Sequence, residues 1–144
     1  MQNRSLVIDA NILIRAVFGN RVRTLINDYA VDVNFYAAEL NVQEAERYIE
    51  ILAIKRGLSV DTCKEAFKAA LSLIQTVATD AIVDLKDSAL QRIQNKDPND
   101  WPAIAAAMRL ECPIWTEDRD FFGAGIAVWV TDTVEIFLRN KSRQ

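Results

Sequence analysis

The residues best placed for chemistry in this chain are acidic. Asp9 directly follows the apolar run Leu6-Val7-Ile8, Asp118 follows the run Cys112 to Trp115 by way of Thr116-Glu117, and Asp100 opens the segment leading into that second run. If both runs are strands of an open α/β sheet, these positions fall outside the carboxyl ends of the strands, where such sheets bind ligands. Three carboxylates meeting there repel one another and raise each other's pKa, and a bound divalent cation relieves the repulsion. Each also has a plain structural role open to it: Asp9 as a helix cap, Asp100 as a cap or first-turn anion, Asp118 as a turn residue. A fourth acid comes from the segment around Ala45, Ile49 and Leu52. Glu44 and Glu46 lie at opposite margins of its apolar stripe, so periodicity lets either lean toward the cleft or join a solvated charge network.

Composition narrows the chemistry further. None of the 144 residues is histidine. This excludes Ser-His-Asp and Cys-His catalysis, histidine-liganded zinc and a histidine general base. Four glycines are too few for glycine-rich phosphate loops, and no such motif occurs. Carboxylates without histidine point to hard divalent cations. Cys63 and Cys112 form no C-x-x-C pair and read as small buried hydrophobes. Asp9, Asn11 and Arg15 interrupt the N-terminal apolar segment, so no signal peptide is expected. No apolar stretch approaches the length of a membrane span, and a cytoplasmic location is the expectation.

The elements that must position the acids follow from periodicity. Leu6–Ile8, Val31–Tyr36, Ala81–Val83, Cys112–Trp115 and Ile126–Val130 read as five strands. Helices are expected after an Asn11 cap, over Arg21–Tyr29, Leu40–Lys55 with Gly57 as its C-cap, about Asp61–Thr76, Asp87–Ile93, Pro102–Leu110, and from a Thr131 or Asp132 cap to about Arg139. Asn95–Asn99 reads as a polar turn. Continuously apolar strands alternating with helices predict a three-layer α/β/α domain with a central, mostly parallel sheet of about five strands. Length predicts one domain, residues 1–144.

Val7-Ile8-Asp9-Ala10-Asn11-Ile12-Leu13-Ile14 resembles the opening strand-to-helix motif of PIN domains. Asp97-Pro98-Asn99-Asp100-Trp101-Pro102 through Pro113-Ile114-Trp115-Thr116-Glu117-Asp118-Arg119-Asp120-Phe121 resembles the second half of that family, and Glu44-Ala45-Glu46-Arg47-Tyr48-Ile49 its intervening helix. The resemblance implies a Mg²⁺- or Mn²⁺-dependent endoribonuclease with Asp9, Glu44, Asp100 and Asp118 as the metal-binding, catalytic quartet. It places Asn11 and Thr116 at positions that orient ligands or water, with Asp97 and Asp120 as spare acids beside their partners. It also implies the toxin of a toxin–antitoxin pair, an antitoxin partner and a homodimer, for which Phe35, Tyr36 and the middle helices could supply the surface. A non-catalytic RNA- or protein-binding module of the same fold is the alternative. A phosphotransferase with an aspartate nucleophile is weaker, because Asn11 stands where D-x-D chemistry needs its second acid.

Arg15, Arg21 and Arg23 could steer an RNA backbone, while Trp101 and Trp115 suit the core better than base stacking. The net charge of −3 comes from 20 acidic and 17 basic residues. Without the implied quartet, 16 acids face 17 bases, so the acidity is concentrated in the pocket.

Overall fold

The computed structural model describes residues 3–94 and 96–139. Among the described residues five strands form one sheet: β1 (Arg4–Ile8), β2 (Val33–Ala38), β3 (Ile74–Val77), β4 (Ile114–Trp115) and β5 (Val128–Trp129). Their order is β3-β2-β1-β4-β5 and every pairing is parallel. β1 is central, pairing Arg4–Val7 with Val33–Tyr36 on one side and Val7-Ile8 with Ile114-Trp115 on the other. Seven helices of the described chain cover it: α1 (Ala10–Phe18), α2 (Asn20–Tyr29), α3 (Glu39–Lys55), α4 (Val60–Leu71), α5 (Lys86–Ile93), α6 (Trp101–Leu110) and α7 (Val134–Arg139).

Alternation along β1 divides the core in two. Leu6 and Ile8 pack with residues of α1 to α4 and α7, while Val7 packs with Ala38, Ile114 and residues of α5 and α6. This is the expected three-layer arrangement. Trp115 is fully buried beside Phe35, ring centroids 6.4 Å apart, and Trp101 is also buried. Neither indole is free to stack on a base. Burial of Phe35 likewise removes it from any dimer surface.

The third strand lies at Ile74–Val77, not at the expected Ala81–Val83. Helix α4 ends at Leu71, five residues short of its expected end, and the chain re-enters the sheet edge beside β2. Gln75 and Thr76 are exposed on that edge, so no continuous apolar run announces the strand. Ile82, which suggested a strand, is instead a single buried anchor between two 3₁₀ turns at Thr79–Ala81 and Val83–Leu85. The last two strands shorten to two residues each, and β2 is shifted two residues toward the C-terminus.

The caps differ too. Asp9, not Asn11, caps α1, accepting from the Ile12 amide at 3.2 Å. The final helix begins at Val134, after Thr131 and Asp132. Gly57 terminates α3 as expected, with φ of 68° and the paired Gly57→Ile54 and Leu58→Ala53 bonds of a Schellman motif. Asn95 of the expected polar turn lies outside the described residues, and Pro98–Asp100 form a 3₁₀ turn leading into α6. Among the described residues, no helix is long and apolar enough to cross a membrane.

Candidate active site

The carboxyl edge of the sheet collects the acids. β1 delivers Asp9 at its end, β4 delivers Thr116 and Asp118, the 3₁₀ turn before α6 delivers Asp100, and the second turn of α3 delivers Glu44. Parallel pairing of β1 with β4 makes this unavoidable, because it brings the ends of both strands to the same place.

Asp9 is buried, 4% exposed. Its Oδ2 accepts from the Thr116 hydroxyl and from Asn11 Nδ2 at 3.1 Å. The Thr116 oxygen accepts in turn from the Asp118 amide at 2.9 Å, and Asn11 Oδ1 from the Glu117 amide at 3.4 Å. Asp118 accepts from the Asp120 amide at 2.9 Å, and Asp97 accepts from the Asn99 amide at 2.9 Å. The structural roles of Asp9 and Asp118 as caps are therefore real, and they coexist with convergence. Oxygens of Asp100, Asp118 and Asp120 all lie within 4.8 Å of one another.

Electrostatics mark the same spot. Burial pushes the Asp9 carboxyl up to about 7; the hydrogen bonds from Thr116 and Ile12 oppose this, and the charges of Asp118 and Asp100 add to it. Asp100 is also raised to about 7, by burial first, then by Asp118, Asp97, Asp120 and Glu44. Glu44 is half-buried and acts on Asp100, whereas Glu46 faces solvent. Asp100 Oδ2 is buried without a hydrogen-bond partner among the described residues. A lone oxygen buried among like charges is costly unless something positive meets it. The donors are all carboxylate oxygens, which suits Mg²⁺ or Mn²⁺ rather than softer metals.

Asp97 is exposed; its carbonyl accepts from the Asp100 amide at 3.1 Å and its charge acts on the Asp100 carboxyl. Asp120, read from sequence as a spare acid, joins the converging oxygens directly. Sequence reasoning misses Asn41. It is buried, its Oδ1 without a partner among the described residues, one helical turn before Glu44; an amide at a core position of a helix is the available signal. Of the three arginines, Arg21 pairs with Glu135 at 2.9 Å, and Arg23 is engaged by Asn20 and the Val17 carbonyl. Among the described residues Arg15 makes no ion pair. Burial pushes the Cys112 thiol up to about 11, and Cys63 is buried, so neither suits nucleophilic chemistry.

Solved structures share the fold. PAE2754 from Pyrobaculum aerophilum superposes with a TM-score of 0.69 at 15% identity, over 96% of this chain and 91% of that one. VapBC2 from Rickettsia felis, bound to a DNA fragment from its promoter, gives 0.65 at 11% identity, over 88% and 98%. A toxin–antitoxin complex from Klebsiella pneumoniae gives 0.64 at 17% identity, over 88% and 97%. No curated protein matches the chain in sequence. The sequence profile of the PIN domain matches residues 7–139, and the chain belongs to the PIN domain family.

Proposed function

We propose that this protein is a metal-dependent endoribonuclease whose cation is held by Asp9, Glu44, Asp100 and Asp118, with Asp120 beside them. The observation that carries the reading is the convergence of the Asp100, Asp118 and Asp120 oxygens within 4.8 Å, with Asp100 Oδ2 buried and unbonded. When bound, Mg²⁺ or Mn²⁺ supplies the charge that neutralises a phosphodiester and makes water nucleophilic near neutral pH. The chain's own part is preorganisation. Thr116 and Asn11 fix the Asp9 carboxylate, the Asp120 amide fixes that of Asp118, and α3 brings the charge of Glu44 to bear on Asp100. Hydrolysis of this kind needs no protein nucleophile, in keeping with the absence of histidine, and leaves a 5′-phosphate and a 3′-hydroxyl. In this reading Asn11 and Thr116 orient, Asp97 tunes charge, and Arg15, Arg21 and Arg23 are the arginines assigned to the RNA backbone.

The toxin–antitoxin complex among the structural neighbours supports a toxin role with an antitoxin partner; a homodimer and a cytoplasmic setting complete the reading. Asp9→Ala and Asp118→Ala are each expected to abolish Mn²⁺-dependent cleavage of single-stranded RNA and to weaken Mn²⁺ binding in calorimetric titration. Full cleavage by both variants would sink the assignment. A non-catalytic binding module is the reading that the cap bonds of Asp9 and Asp118 would support on their own; it predicts no Mn²⁺ site in the wild-type titration.

A further inference from the structure

One cavity on the face of α1 gathers three arginines, of which Glu135 balances only Arg21. It has a volume of about 350 Å³ and is lined by Arg15, Phe18, Arg21, Arg56 and Thr131 together with the first turn of α2. Among the described residues no Asp or Glu lines it. Three details make it a built site rather than a scatter of surface charge. The Arg56 guanidinium lies over the Phe18 ring, 4.9 Å from its centroid, which fixes the plane of its donors. Gly19 opens the ten-residue α2 with no side chain to cap it, so the first-turn amides at the cavity border are left for another acceptor. Arg15 and Arg56 form no ion pair among the described residues, whereas Arg21 is already balanced by Glu135.

The cavity is also joined to the acid cluster. Its buried wall residue Thr131 receives the Trp115 indole N–H at 3.1 Å and donates its amide to Glu117 at 2.6 Å. The Glu117 amide bonds Asn11, which bonds Asp9. Asn11 and Arg15 are one turn apart on α1, and Arg15 lies six residues, about 9 Å along the helix axis, beyond Asp9. Arg56 lies twelve residues, about 18 Å along the helix axis, beyond Glu44 on α3. These offsets are too long for the scissile phosphate or its immediate neighbour and suit a phosphate farther along the strand.

We propose that this cavity is a subsite for a backbone phosphate of single-stranded RNA, held by Arg15, Arg56 and the first turn of α2, farther along the strand than the phosphate presented to the acids. It rests on the nuclease reading only for the identity of the strand. Arg56 is invisible to sequence reasoning because it comes from the far end of α3, remote in the chain from the first motif.

The test is the binding of a short labelled single-stranded RNA to the full chain in EDTA, followed by fluorescence anisotropy across a salt series. The double variant Arg15→Ala/Arg56→Ala should bind about tenfold more weakly, with the salt slope reduced by about 0.7 for each phosphate that is no longer neutralised. Arg15→Lys/Arg56→Lys should recover the slope but only part of the affinity, because an ammonium lacks the planar fork. Lys64→Ala, a surface charge change on α4, should behave as wild type, and an unchanged Tm shows that each variant is folded. Unaltered affinity and slope in the alanine variant would overturn the subsite. So would binding of polyglutamate through these arginines with no binding of RNA, which would reassign the cavity to an acidic protein. A wild type that binds RNA through Arg15 and Arg56 yet cleaves none with Mn²⁺ sinks the nuclease reading and leaves the subsite standing. Cleavage with KM unchanged in the alanine variant sinks the subsite alone.

Discussion

Thr116 shows how much one hydroxyl can organise. It donates to Asp9 and accepts from the Asp118 amide, so a single atom sets two acids from opposite ends of the chain against each other. Thr116→Val preserves shape but leaves the Asp118 amide and one Asp9 oxygen short of a partner. We expect a stability loss of about 1–3 kcal/mol in urea unfolding and a roughly 10- to 100-fold weaker Mn²⁺ affinity in calorimetry. At this scale the sequence is informative about type and poor about partnership. Asp9, Asp100 and Asp118 stand out as acids at strand and helix ends. Periodicity cannot tell Glu44 from Glu46, because both sit at margins of one stripe, and only the packing of α3 on the sheet turns one of them inward. Asp120 is easily underrated because the 3₁₀ turn that aims it has no periodic signature.

Among the elements, helices with strong apolar periodicity are legible and short edge strands are not. Ile12, Leu13, Ala16 and Val17 are the buried positions of α1, as spacing requires. Periodicity misplaces β3 because an edge strand with only Ile74 buried and with exposed Gln75 and Thr76 resembles the frayed end of a helix. The end of α6 offers a direct test. Its C-cap Glu111 adopts φ 52° and ψ 52°, a left-handed conformation that disfavours any residue with a Cβ. Glu111→Gly should therefore stabilise the protein by a few tenths to about 1 kcal/mol, after allowing for the greater freedom of glycine in the unfolded chain. Urea denaturation measures it, and a destabilised variant would show that the Glu111 side chain contributes more than its backbone strain removes.

For the molecule as a whole, the raised Asp9 and Asp100 carboxyls set a pH dependence. Both have folded pKa values near 7 against an ordinary 3.8. Between about pH 4 and pH 7 the metal-free folded state holds protons that the unfolded chain has lost, so stability falls as pH rises through that window. Glu39, Asp84 and Glu135, held low by Thr79, Arg109 and Tyr29 respectively, act in the opposite sense, below the ordinary carboxylate range. Thermal unfolding in EDTA should give a lower Tm at pH 7.5 than at pH 5, and Asp9→Asn should flatten the difference. Mn²⁺ at about 100 times its Kd should add about 2.7 kcal/mol at neutral pH. A Tm that rises from pH 5 to 7.5 in EDTA would contradict the arrangement.

The bond between Thr116 and Asp9 spans 107 residues. Closure at that separation can come only after β4 has found β1, so the acids cannot assemble on any nascent chain that ends before Thr116. On the proposed nuclease reading, the active centre therefore forms only once synthesis has passed the second half of the site.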